Sequence, residues 1–294
     1  MNHNKSLTIN EIFSLAVKNH QENKLDAAQD LYKKILKIDP GHLAVLNNLG
    51  VIFQKLGENQ KAKECFEKAI EINPHYANAY NNLGTIFKEL GENQKAKECF
   101  EKAIEINPNY ADAHNNLGTT SKELGEIEKA KECYKKAIEI NPNHIGALNN
   151  LGVIYKKLKK LQKAKECYKK AIKLNPDNAD ALNNLGNIFK ELGEIEKAKE
   201  CYEKAIEINP NQEKAYNNLG IIFTDLKENQ KAKECYEKAI EINPNYVDAY
   251  FNIGNLFKEL DELQKATDVA QNLYNKILEI DPNHSQVLNN MAII

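Results

Sequence analysis

The chain has 294 residues, 28% of them charged, and a formal net charge of −2. All 40 basic residues are lysine, so the bidentate guanidinium forks favoured by phosphate-reading surfaces are missing. The near balance of charge gives no reason to expect nucleic-acid or membrane binding. No apolar run approaches the ~18 residues of a membrane-spanning helix, and residues 1–8 lack the apolar stretch of a signal peptide, so a cytoplasmic setting is expected.

Taken in order, residues 1–8 read as a polar tail. Thr8-Ile9-Asn10-Glu11 fits a capping box, a side-chain acceptor at the cap with a glutamate three residues on, and predicts a helix starting at Ile9. From there one beat runs down the chain. Prolines stand at Pro40, Pro74, Pro108, Pro142, Pro176, Pro210 and Pro244, each 34 residues after the last, and then at Pro282 after 38. Gly50, Gly84, Gly118, Gly152, Gly186, Gly220 and Gly254 keep the same period. A fixed period of this length marks a repeat array. It divides the chain into eight units, 9–42, 43–76, 77–110, 111–144, 145–178, 179–212, 213–246 and 247–284, with an unfinished ninth at 285–294. The first is divergent, with Ala16 in the glycine column, and the eighth carries four extra residues near 267–270.

Each unit predicts two helices. In 77–110, Tyr80, Leu83, Gly84 and Phe87 lie at i, i+3, i+4, i+7 on one face of a first helix. Gly91 ends that helix, because the left-handed C′ conformation costs glycine least. Ala96, Phe100, Ala103 and Ile104 form the stripe of a second helix, which Pro108 stops. Glu98 and Lys102 are spaced as an i, i+4 ion pair. Helices this short are marginal alone, so stacking must hold them. Small residues at Gly84, Ala96 and Ala103 admit a close approach that Phe87 and Phe100 fill.

These residues resemble the tetratricopeptide repeat (TPR): in 179–212 the pattern is Leu182, Leu185, Gly186, Phe189, Ala198, Tyr202, Ala205 and Pro210. The resemblance covers about 280 residues. It implies an all-α fold, a right-handed superhelical solenoid of helix-turn-helix repeats whose first helices line the concave wall. The departures are local: Ser121 replaces an aromatic, and Lys159, Lys227 and Asp261 replace the turn glycine.

Little points to chemistry. Cys65, Cys99, Cys133, Cys167, Cys201 and Cys235 recur every 34 residues. Equivalent positions in successive repeats are separated by a helix, and helices pack about 8–10 Å apart, beyond the ~7 Å limit for a disulfide. Free thiols are therefore expected. No histidine has zinc-site spacing to another His or Cys, and the chain shows none of the P-loop, GxSxG or HExxH motifs. The expectation is a non-catalytic chain with no cofactor and no metal.

Asparagine is the informative residue. Asn48, Asn82, Asn116, Asn150, Asn184, Asn218 and Asn252 precede the Leu-Gly or Ile-Gly of each first helix, and Asn290 holds the same place in the unfinished repeat. This position points roughly 150° from the centre of the apolar stripe, and asparagine costs about 0.5 kcal/mol against alanine in a helix. Each amide offers two donors and an acceptor, a ladder suited to an extended polypeptide. The neighbouring Asn47, Asn81, Asn115, Asn149, Asn183 and Asn217 sit on the flank, with Phe251 replacing the next. A second feature is the run 156–173, with nine lysines and one opposing acid, Glu166.

The function expected is a protein-interaction scaffold binding an extended polypeptide through the asparagine ladder. The alternative is the substrate-recognition arm of a glycosyltransferase, since an asparagine ladder on such helices resembles the arm of O-linked N-acetylglucosamine transferases. The catalytic region that follows their repeats has no counterpart in these residues. A carboxylate-gripping co-chaperone clamp fits poorly, because the groove positions are mostly uncharged and Lys214 is isolated. Ser285 to Ile294 opens a first helix that stops on Ile293 and Ile294, so continuation of the array or self-association at that end is expected.

Overall fold

A computed structural model describes residues 7–260 throughout, with 265, 267–269, 271, 272, 275 and 278 beyond them. Asp261, Ala270, the partial ninth repeat and Asn290 lie outside the described residues. Fifteen α-helices lie within residues 7–260, the described residues beyond them are helical too, and no described residue is in a strand. They are α1 (Ile9–Gln21), α2 (Leu25–Ile38), α3 (Leu43–Lys55), α4 (Asn59–Ile72), α5 (Ala77–Glu89), α6 (Asn93–Ile106), α7 (Ala111–Glu123), α8 (Ile127–Ile140), α9 (Ile145–Lys157), α10 (Leu161–Leu174), α11 (Ala179–Glu191), α12 (Ile195–Ile208), α13 (Glu213–Asp225), α14 (Asn229–Ile242) and α15 (Val247–Glu259). Contacts divide the chain into two compact units, Met1–Asn150 and Leu151–Ile294.

Helix α1 starts where the capping box predicts. Thr8 Oγ1 accepts from the Glu11 N–H at 3.3 Å, and Glu11 Oε2 accepts from the Thr8 N–H at 2.7 Å. Within the first unit α3 packs on α4, α5 on α6 and α7 on α8, and α2, α4 and α6 also meet the first helix that follows. The second unit repeats this with α11 on α12 and α13 on α14.

The glycine column explains how the pairs close. A Cβ built on Gly84 would lie 2.7 Å from Phe100, one on Gly118 2.7 Å from Tyr134, and one on Gly186 2.6 Å from Tyr202. The aromatic ring of the second helix lies directly against the bare backbone of the first. These rings are fully buried, as are Ala96, Ala130 and Ala198 one turn away.

The turn inside each repeat uses the left-handed region. Gly57, Gly91, Gly125 and Gly193 have φ of 74–81°, and Asn23, Lys159 and Lys227 hold the same conformation at 57–60°. The two lysines keep the turn at a cost that glycine avoids. Between repeats the residue before each proline organises the turn. Asn73, Asn107, Asn141, Asn175, Asn209 and Asn243 each accept from the backbone N–H two residues on, at 2.9–3.1 Å. These Asx turns carry the chain past the proline. One expected ion pair differs: Lys102 pairs with Glu105 at 2.9 Å, while Glu98 accepts from Gln94. Glu98 thus bonds toward the helix start and Lys102 toward its end.

Among the described residues five repeats have a tyrosine as the buried ring, and its hydroxyl needs a partner. Tyr32 accepts from Asn48 at 3.1 Å, Tyr134 donates to Thr119 at 3.3 Å, Tyr202 donates to Asn187 at 2.8 Å, and Tyr236 bonds Thr224 at 3.0 Å. Tyr168 faces Val153 at the place of Thr119 and Asn187, and its hydroxyl is buried without a partner. Burial pushes the Tyr168 phenol up above its usual range. Removing an unpaired buried hydroxyl recovers its desolvation cost, so Tyr168→Phe is expected to stabilise the protein by about 1 kcal/mol. Tyr202→Phe should instead destabilise it by about 0.5–1.5 kcal/mol. Urea midpoints of the two variants check this, and equal shifts of one sign would refute the hydroxyl accounting.

Candidate functional site

The asparagines lie on the first helices, and their placement differs from the single-helix estimate. Asn82, Asn116, Asn150, Asn184, Asn218 and Asn252 are half-buried, and Asn81, Asn183 and Asn217 beside them are 3–7% exposed. The angular argument considered one helix against its own partner. Each first helix also packs on the first helix of the neighbouring repeat, α3 on α5, α5 on α7, α11 on α13 and α13 on α15. That contact encloses the flank.

Across it the amides bond one another. Asn82 Nδ2 donates to Asn47 Oδ1 at 2.8 Å, Asn116 to Asn81 at 3.0 Å and Asn150 to Asn115 at 3.1 Å. In the second unit Asn218 donates to Asn183 at 3.0 Å and Asn252 to Asn217 at 2.9 Å. Within a doublet, Asn81 Nδ2 reaches Asn82 Oδ1 and Asn115 Nδ2 reaches Asn116 Oδ1, both at 3.4 Å. The first unit therefore holds an unbroken line of six amides, Asn150, Asn115, Asn116, Asn81, Asn82 and Asn47, joined by five hydrogen bonds. Sequence reasoning gave the first member of each doublet little weight, yet it is the acceptor that completes the clasp. The doublet itself was the signal.

The clasp leaves capacity unused. Asn116 spends one N–H on Asn81 and one lone pair on Asn115, so an amide with two donors and a two-lone-pair acceptor retains one of each. Around the column, Thr85 and Thr119 turn their hydroxyls to their own helix carbonyls, Asn81 O and Asn115 O. Asp112 Oδ1 lies 3.1 Å from His144 Nε2, and Asp180 accepts from Gln212 at 2.7 Å. Asn48 takes a different partner, the Tyr32 hydroxyl. Phe251 takes the acceptor's place in the eighth repeat, 62% exposed.

The cysteines lie elsewhere, on the second helices. All six are unpaired, five half-buried and Cys133 buried. Burial pushes their thiols up to about 11, or about 12 at Cys99 and Cys235. Thiols held this neutral are poor nucleophiles and poor metal ligands near pH 7. Among the described residues no group of three His, Cys, Asp or Glu side chains is placed to hold a metal ion. Nor is any described helix long and apolar enough to cross a membrane.

Paired helices on a 34-residue beat, closed by glycine against an aromatic ring, define a tetratricopeptide repeat protein, a class of repeat scaffolds that typically bind proteins or peptides. Within that class the chain belongs to the family described as the cilia and flagella-associated protein 70 C-terminal domain, whose model matches residues 13–249, and a general tetratricopeptide repeat model matches residues 235–268. No curated protein matches. Solved structures do. YrrB, described as a TPR protein with an unusual peptide-binding site, is 26% identical with a TM-score of 0.52, over 64% of this chain and 96% of its own. PilF of Pseudomonas aeruginosa is 24% identical with a TM-score of 0.61, over 74% and 97%. The Cut9 and Hcn1 hetero-tetramer of the APC/C matches at 19% identity and a TM-score of 0.69, over 90% and 51%. The last two show the fold alone.

Proposed function

We propose that this chain is a non-catalytic scaffold that binds an extended polypeptide along its first helices, with Asn48, Asn82, Asn116, Asn150, Asn184, Asn218, Asn252 and Asn290 as the contact column. The observation that carries the reading is the unspent hydrogen-bonding capacity of a regular amide column, one donor and one acceptor at Asn116 after its own bonds are made. An extended peptide presents alternating N–H and C=O groups that such a column can pair. The description of YrrB as a peptide binder supports the same class of ligand. The matches do not favour the glycosyltransferase-arm alternative.

The test begins with peptides selected against the intact chain from a random library and placed by crosslinking on the first helices. Asn116→Ala should then weaken binding by about 0.5–1.5 kcal/mol, the worth of one hydrogen bond, measured by titration where the variant is fully folded. Unchanged affinity for a peptide crosslinked beside Asn116 would end the proposal.

A further inference from the structure

The basic run of the fifth repeat is a separate feature on a different surface, and it does not depend on the peptide reading above. Its helix α10 carries five lysines and one glutamate, whereas α6, built on nearly the same sequence, carries three of each. Lys169 and Lys173 stand where α6 has Glu101 and Glu105 and α12 has Glu203 and Glu207.

Three of the nine lysines are spent internally. Lys156 and Lys159 reach Glu191 at 3.3 and 4.0 Å, and Lys165 reaches Glu194 at 2.9 Å. Lys157, Lys160, Lys163, Lys169, Lys170 and Lys173 remain exposed. With only Glu166 among them, they form one positive surface on a chain whose net charge is −2.

That surface breaks local rules kept elsewhere. The residue before the second helix is Glu58, Glu92, Glu126, Glu194 or Glu228 in five repeats, a charge suited to a helix N-terminus. Each also pairs with the lysine three residues on, as Glu194 does with Lys197 at 2.6 Å. In the fifth repeat the position is Lys160, which sets a cation against the helix dipole. It also faces Lys163, which lies over the Tyr155 ring at 5.8 Å instead of on a carboxylate. The divergent first repeat also has a lysine here, but Lys24 is paired with Glu22 at 2.6 Å. The preceding turn holds Lys159 at φ 57° where neighbouring repeats use glycine, a departure shared with Asn23 and Lys227. Such conflicts between local preference and retained sequence concentrate at functional sites.

We propose that the exposed lysines of this turn and of α10 dock an acidic polypeptide segment. The stripe from Lys163 to Lys173 is about 15 Å long at 1.5 Å per residue, the span of about five residues of extended chain. A planar anionic membrane or a nucleic acid would also have to approach the next second helix, α12, which bears Glu196, Glu200, Glu203 and Glu207. A single acidic strand following α10 avoids that repulsion.

The probe is a fluorescent octaglutamate peptide titrated with the full chain at low ionic strength. The variant K157E/K160E/K169E/K173E reverses the surface, and K160E also restores the N-cap glutamate, so the thermal midpoint should not fall. Binding should weaken about tenfold or more in this variant, and in the unmodified chain should fade as salt rises past about 0.1 M. A control of equal charge change, K61E/K68E/K95E/K102E, should bind within about threefold of the unmodified chain. Equal loss in both variants would reduce the effect to net charge and overturn the proposal. No binding by the unmodified chain would overturn it too. So would tighter binding to vesicles of equimolar phosphatidylserine and phosphatidylcholine, or to a DNA duplex, than to the peptide at the same salt.

Discussion

Gly118→Ala is expected to destabilise the protein by about 2 kcal/mol, whereas Gly146→Ala stabilises it by about 0.5–1 kcal/mol. The chemical change is identical and both residues are helical. In both the methyl removes the conformational penalty of helical glycine, up to about 1 kcal/mol. At Gly118 the new carbon would lie 2.7, 2.9 and 3.1 Å from three atoms of the Tyr134 ring. That ring is fully buried and has nowhere to rotate, so the helices must separate, at an overpacking cost near the upper end of the usual 1–3 kcal/mol. At Gly146 the nearest atom is His144 Cε1 at an ordinary 3.4 Å. The first repeat carries Ala16 in the same column opposite Tyr32, so a methyl is compatible with the pair when the second helix can back away. Helix α7 lacks that freedom, being packed on α5, α6 and α8. Denaturant midpoints that shift alike for the two variants would contradict the account of the glycine column.

Removing two acceptors of the amide line is the second large effect. Asn81→Ala takes away the oxygen that receives the Asn116 N–H at 3.0 Å, and Asn115→Ala the one that receives the Asn150 N–H at 3.1 Å. Each leaves a half-buried donor without its partner, a penalty of about 1–3 kcal/mol. Alanine's better helix propensity returns about 0.5 kcal/mol at each site. The double variant is expected to lose about 2–4 kcal/mol. A double-mutant cycle of Asn81→Ala with Asn116→Ala isolates the bond itself. A coupling energy of about 1 kcal/mol is expected, and none at all would mean that the amides merely lie side by side.

How far the sequence could be read depended on the kind of interaction. Gly118 and Pro108 were legible because backbone sterics assign them one role wherever they occur in a helix pair. The Thr8 and Glu11 box was legible because its whole geometry lies within one turn. The amide line was only half legible. Asn116 was seen as off-stripe, but its partner Asn81 sits in the preceding repeat, and a helical wheel contains no second helix. Asn107 and its counterparts before each proline were missed, although six copies of an Asn-Pro step carry the Asx-turn signal. The unpaired hydroxyl of Tyr168 was out of reach, because finding it requires knowing that Val153 faces the ring.

The amide clasp has a consequence for assembly. A donor asparagine meets the same oxygen whether the doublet belongs to the adjoining repeat or to any other, since Asn47, Asn81, Asn115, Asn183 and Asn217 all serve as acceptors. Interfaces this alike carry no address. The order of the stack is imposed by the leash between repeats, a gap of four residues such as 39–42 between α2 and α3. When two chains refold together, a helix pair of one meets an equally good berth on the other, the route by which repeat proteins exchange segments. Phe251 interrupts this interchangeability at one place in the acceptor column, because a phenyl ring offers a donor asparagine no oxygen.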